Sequence, residues 1–112
     1  MKFFSFDTLY SSPSVGEPIL DAVADAIRQT HTLQSDDIAL LLDVRKRDLG
    51  GAVLMLTGMT LETLIHRWRI RQARELLAAG QLSEREVAYR CGWTSVRGMR
   101  RNLARAEHTI SR

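Results

Sequence analysis

The residues best suited to chemistry in this chain are arginines. One segment carries Arg97, Arg100, Arg101 and Arg105, and a smaller basic cluster reads Arg45-Lys46-Arg47. At helical spacing the C-terminal segment sorts by face: Met99, Leu103 and Ala106 fall on one side with Val96 at its edge, and Arg97, Arg100, Arg101, Ala104 and His108 fall opposite, with Arg105 on the flank. An apolar side anchors such a helix while a cationic side reaches a polyanion. Arginine's planar fork donates two parallel hydrogen bonds, which suits phosphate and the guanine edge. The charge balance along the chain agrees. Residues 1–56 hold five Lys and Arg against eight Asp and Glu, a net of −3, whereas residues 57–112 hold eleven Arg against five Glu, a net of +6. The competing account is a solvated basic face whose arginines pair with local glutamates.

Other chemistries find little support. His31, His66 and His108 sit on different elements without ligand spacing, so neither a metal site nor a cofactor is expected. There is no glycine-rich phosphate loop and no nucleophile–base pair, and the chain is not expected to be an enzyme. Cys91 is the single cysteine, which excludes an internal disulfide, and it falls at an inward position as a small core residue. Trp68 and Trp93 are expected to be core anchors rather than stacking platforms.

The frame that must position the arginines is an ordinary one. With 112 residues, 45% hydrophobic and 26% charged, the chain fits one compact domain able to bury a real core. No apolar run approaches the roughly 18 residues of a membrane span, so no membrane association is expected. The start, MKFFSFDTLYSS, lacks the small-residue pattern of a cleaved signal. A reducing, cytoplasmic setting is the expectation.

Helical periodicity recurs from Glu17 onward. Residues 1–16 hold Phe3, Phe4, Phe6 and Tyr10 followed by SSPSVG, and read as an N-terminal tail, either disordered or docking. Ile19, Leu20, Val23, Ala26 and Ile27 predict a first helix from Glu17 to about His31. Ser35 is expected to cap a second helix, with Ile38, Ala39, Leu41 and Leu42 inward, stopping near Asp43-Val44. A third runs from about Lys46 to Leu56, with Leu49, Val53 and Leu56 on one side, and ends at Gly58. Thr60 caps a long fourth helix to about Ala79, closed by Gly80. Its stripe Leu61, Leu64, Ile65 and Trp68 lies nearly opposite Ile70, Ala73 and Leu77, so two different bodies should pack on it. Ser83-Glu84-Arg85-Glu86 forms a capping box for a fifth helix with Val87, Ala88 and Cys91 inward. Thr94 or Ser95 caps a sixth, running to about Ala106, after which the chain is expected to fray.

Two short helix-turn-helix units joined by one long helix make an unusual architecture. Each unit needs a small residue in its first helix, a tight turn and an apolar residue after it. Ala39, Asp43 and Val44 supply these in the first unit, and Ala88, Gly92 and Trp93 in the second. Gly92 should take the left-handed conformation, which Asp43 tolerates less well.

From Ser35 to about Arg105 the chain resembles the DNA-binding domain of the AraC/XylS transcription regulators. The segments that carry the resemblance are LTGMTLETLIHRWRIRQARELL and LSEREVAYRCGWTS, the latter with Ala88, Arg90, Cys91, Gly92 and Trp93 in the family's small-residue, Arg-Cys-Gly, aromatic pattern. The resemblance implies an all-α, homeodomain-like fold. Residues 17–112 would form the DNA-binding domain, with one helix-turn-helix at about 35–58, the linking helix at about 60–79 and the other helix-turn-helix at about 83–106. It further implies a bacterial-type regulator of the nucleoid, presenting two recognition helices to successive major grooves of double-stranded DNA. A helix of about 20 residues spans roughly 30 Å, close to the ~34 Å of one duplex turn. By resemblance, Ser95, Val96, Arg97 and Arg100 lie near base edges, and Arg101 and Arg105 suit phosphate. Arg69, where the family carries arginine, would contact phosphate or brace the two halves through a carboxylate.

The first unit departs from the family. The outward face of its second helix comprises Arg47, Gly50, Gly51 and Leu54, and Leu54-Met55 stands where the family has a basic pair. Two readings stay open there: close backbone approach to DNA with Leu54 on a thymine methyl, or a degenerate reader whose surface meets a protein. Arg45, Lys46 and Arg47 would serve phosphate either way. Neither the family's usual seventh helix nor an effector or dimerisation domain is expected from these residues. RNA polymerase or another regulator is an expected protein partner, as is self-association through the N-terminal segment. The rival function is a protein-interaction module on an AraC-like scaffold with weak or lost DNA binding.

Overall fold

The computed structural model describes residues 2–110, with side chains through residue 107. Among these residues there are seven α-helices and no strand, an all-α fold: α1 (Phe6–Ser11), α2 (Pro18–Gln29), α3 (Ser35–Leu41), α4 (Lys46–Thr57), α5 (Leu61–Ala79), α6 (Glu84–Arg90) and α7 (Val96–Ile110). They belong to two compact units. One comprises the residues up to Thr30 with Gln34–Arg67, and the other His31–Leu33 with the chain from Trp68 onward.

In the first unit the N-terminal segment contributes structure of its own. Ser5 Oγ accepts the Thr8 N–H at 3.2 Å and opens α1. Leu9 is buried, and the Phe4 N–H donates to the Leu56 carbonyl at 2.9 Å. Glu17 caps α2 by accepting the Leu20 N–H at 2.8 Å, with Pro18 in the first turn, where its missing donor costs nothing. The α2 stripe Leu20, Val23, Ala26 and Ile27 is buried, as are Ile38, Ala39, Leu49 and Val53 from α3 and α4. Ile19, placed on that stripe by periodicity, is exposed.

Ser35 departs from its expected role. It is buried inside the first turn of α3, and its hydroxyl donates to Glu62 Oε2 at 2.7 Å instead of capping the helix. Gln34 holds the cap position, so Ser35 lies one residue inside the helix, and its hydroxyl is left to donate to the carboxylate. Gly58 ends α4 at φ 74°, its N–H donating to the Leu54 carbonyl at 2.8 Å. Thr60 Oγ1 accepts the Thr63 N–H at 3.1 Å and starts α5.

Helix α5 serves both units. Leu61, Leu64 and Ile65 are buried in the first, and Trp68 and Ala73 in the second. The second core gathers Ala73, Val87, Ala88, Cys91, Trp93 and Met99, with Ile70, Leu77 and Leu103 packed on it. Gly80 closes α5 at φ 72°. The capping box of α6 is complete: Ser83 Oγ accepts the Glu86 N–H at 3.1 Å and Glu86 Oε1 accepts the Ser83 N–H at 3.1 Å. Helix α7 continues through Ile110, past the expected stop near Ala106, since neither glycine nor proline follows to break it. The His108 side chain and residues 111–112 lie outside the described residues. Among the described residues no single helix is long and apolar enough to cross a membrane, and no group of three or more His, Cys, Asp or Glu residues is placed to hold a metal ion.

Candidate nucleic-acid interface

The two helix-turn-helix turns are built alike. In the first, the Asp43 N–H donates to the Leu40 carbonyl and the Val44 N–H to the Ala39 carbonyl, both at 3.1 Å. In the second, the Gly92 N–H donates to Tyr89 at 3.1 Å and the Trp93 N–H to Ala88 at 2.9 Å. This is one bond pattern, the Schellman motif, with a left-handed residue closing the helix. That residue is Asp43 at φ 55° in one turn and Gly92 at φ 97° in the other. Each turn sets the start of the following helix, α4 or α7.

The apolar residue after each turn behaves differently. Trp93 is 7% exposed and anchors the second core, as its type suggests. Val44 is 46% exposed, while Ala39 and Leu49 on either side of the turn are buried.

Helix α7 has the required sidedness. Ser95 Oγ accepts the Gly98 N–H at 3.0 Å, so Ser95 rather than Thr94 is the cap. Met99 is fully buried and Leu103 half-buried, while Arg97, Arg100, Arg101, Ala104 and Arg105 are exposed. Arg74 Nη2 donates to the Leu103 carbonyl at 3.3 Å and ties α7 to α5. Val96, expected near base edges, is half-buried against the core. As the first α7 residue after the Ser95 cap, it has its apolar side chain drawn inward with Met99.

The arginine face is not wholly open. Arg97 and Arg101 have no ion pair among the described residues. Arg100 is held by Glu84: its Nε donates to Oε2 at 2.8 Å and its Nη2 to Oε1 at 2.6 Å. Those bonds hold the Glu84 carboxyl below the ordinary carboxylate range and push the Arg100 guanidinium up. A fully vacant cationic face is thus corrected at Arg100. Sequence reasoning used Glu84 only as part of the capping segment. Its sole signal was a carboxylate on the first turn of α6, 16 residues from its partner.

On α4, Arg45 precedes the first turn, and Arg45 and Arg47 are exposed. Lys46 Nζ lies 3.0 Å from Asp36 Oδ1, and that hydrogen bond raises the ammonium above its ordinary value. The rest of the outward face is apolar or bare. Leu54 is 48% and Met55 69% exposed, and a Cβ added at Gly50 or Gly51 would meet nothing within 4 Å.

Arg69 is not a phosphate contact. It is 1% exposed, donating from Nε to the Thr32 carbonyl at 3.4 Å and from Nη1 to Gln72 Oε1 at 2.8 Å. Burial of the side chain on α5 removes it from any polyanion and makes it a strut of the second unit. Cys91 is buried as expected, and desolvation pushes its thiol above the ordinary value.

The profile of a helix-turn-helix domain family matches residues 38–109, a span that begins in α3 and ends in α7. No curated protein and no solved structure matches the chain.

Proposed function

Because that match spans more than half of its length, the chain belongs to the AraC/XylS family of helix-turn-helix DNA-binding domains, and we propose that it acts by placing α7 in the major groove. DNA binding in transcription regulation is the role of this family, which is regulatory rather than enzymatic, and double-stranded DNA is the partner. The sidedness of α7 carries the finer reading: Met99 faces the core and Arg97 and Arg101 face out without carboxylate partners among the described residues. Arg97 and Arg100 reach base edges, with Ser95 at the helix start. Arg101 and Arg105 contact phosphate, as does the Arg45-Lys46-Arg47 cluster, where Lys46 exchanges Asp36 for the backbone. Val96 supports the helix from the core side.

The test is duplex binding across a salt series. Neutralising several phosphates makes affinity fall steeply with salt. Arg97→Ala is expected to cost about 1–3 kcal/mol and to relax base preference at one position. Arg101→Ala weakens all sequences alike. If neither substitution changes affinity at low salt while the fold is intact, the groove-reading role of α7 is wrong.

A second reading rests on α4. Exposed Leu54 and Met55 beside two bare glycines suit an apolar partner surface such as RNA polymerase or another regulator. Phe3, exposed at the N-terminal segment, is the residue available there for self-association. Binding through these groups barely responds to salt, which separates it from binding through α7.

A further inference from the structure

The Arg100–Glu84 pair has a geometry that a simple surface ion pair does not need. The carboxylate occupies one edge of the guanidinium, taking Nε and one N–H of Nη2. Arginine has five N–H donors, so both N–H groups of Nη1 and the outer one of Nη2 remain. One N–H of Nη1 and the outer one of Nη2 lie parallel on the adjoining edge of the same plane, the fork that matches O6 and N7 of guanine. Neither residue is buried: Arg100 is 65% and Glu84 46% exposed at the side chain. Both stand on the outer surface of the helix-turn-helix that carries α7.

Charge decides what such a fork can recognise. A guanidinium neutralised at one edge is a poor phosphate ligand, because the adjoining carboxylate repels the same backbone that it attracts. Base edges carry no net charge, so a guanine fork loses little. Holding a long side chain in one orientation also removes the freedom it would otherwise lose on binding. The geometry points to Glu84 as a specificity-determining positioning residue, which turns Arg100 from a phosphate contact into a guanine reader. This rests on the DNA-binding reading of α7 and adds a residue on α6 to it.

The experiment uses the full chain and a site selected from random duplex DNA. Affinities of the wild type, Glu84→Gln, Arg100→Ala and the double variant are measured on that site and on copies with each guanine replaced by adenine, across a salt series. The glutamine keeps the shape and drops the charge. Glu84→Gln is expected to bind unrelated duplex more tightly and to lose at least about fivefold of its discrimination at one guanine. Its salt slope steepens by up to about 0.9 as the released arginine finds phosphate. Arg100→Ala loses discrimination at that same guanine, and adding Glu84→Gln to it changes discrimination no further. A merely structural role for Glu84 would lower thermal stability in both backgrounds and leave discrimination alone. Unchanged discrimination at every guanine, or tighter cognate binding with discrimination kept, overturns the assignment. Salt-insensitive or absent duplex binding by the wild type instead defeats the reading of α7 on which it rests.

Discussion

Asp43 and Gly92 do the same backbone work in the two helix-turn-helix turns, under different constraints. Around Gly92 there is no room: a Cβ there would lie 2.6 Å from the His31 carbonyl oxygen and 3.1 Å from the Leu33 nitrogen. Two independent requirements, a left-handed φ of 97° and a close backbone neighbour, meet at one residue. Asp43 carries a side chain at φ 55° and is exposed. The contrast extends outward. The second turn is followed by a buried tryptophan and a serine-capped α7, and the first by an exposed valine and an α4 without a side-chain cap. One unit is built to hold its second helix in place. The other tolerates a strained residue, two open glycines and exposed leucine and methionine on the equivalent helix.

Substitution at the paired turn positions breaks or sharpens this contrast most. Gly92→Ala is expected to destabilise by at least about 3 kcal/mol, since conformational strain and a backbone clash coincide. Asp43→Gly should stabilise by up to about 1 kcal/mol by relieving the left-handed penalty. Denaturant melts of both variants measure this, and comparable losses at the two sites would mean that the two turns are under the same constraint.

The helices that follow give the next effect. Alanine at Gly50 or Gly51 is expected to raise stability by about 1 kcal/mol each, because the added methyl meets nothing and the helix loses a flexible residue. The melting temperature reports the gain. Salt-sensitive duplex affinity then tells the two accounts of α4 apart: it falls if DNA backbone approaches the glycines, and stays level if α4 meets protein.

The smallest effect concerns how the first helix of each unit begins. Glu62 accepts the buried Ser35 hydroxyl and Glu86 accepts the Ser83 N–H, and these hydrogen bonds hold both carboxyls below the ordinary value of 4.5. A lowered folded-state value means that the stabilisation is fully present above about pH 4.5 and is lost as pH falls through the lowered values. Both groups are largely exposed, so solvent screens the effect to a modest one. Urea midpoints should decline on acidification below that value, and less steeply in Glu62→Gln and Glu86→Gln. A decline of wild-type steepness in both variants would remove these carboxylates from the account.

Local signals in the sequence were easily read. Thr60, Gly58, Gly80 and the Ser83 box start or stop helices through bonds three or four residues long, and such bonds leave their mark in spacing. Helix α1 left none, since six residues are too few for periodicity to declare a face. The role of Ser35 and the partner of Arg100 escape the sequence for another reason. Their partners lie 27 and 16 residues away, and nothing local distinguishes a serine that caps from one that reaches a distant carboxylate. Arg69 is cationic by type, whereas it is buried and donates to the carbonyl of Thr32, 37 residues earlier in the chain. On α7 the apolar and basic faces were legible, and the occupation of Arg100 was not.

The short strap His31–Leu33 belongs to the second unit although it lies between α2 and α3 of the first. Its imidazole Nδ1–H donates to the Arg90 carbonyl at 2.8 Å across a separation of 59 residues. The second unit therefore cannot be completed by the C-terminal half of the chain, however well α6 and α7 form locally. Its last fastening waits on a long loop closure, which slows assembly. A fragment beginning at Trp68 carries both helices and lacks the latch, and the structure makes His31–Leu33 as much a part of that unit as α6.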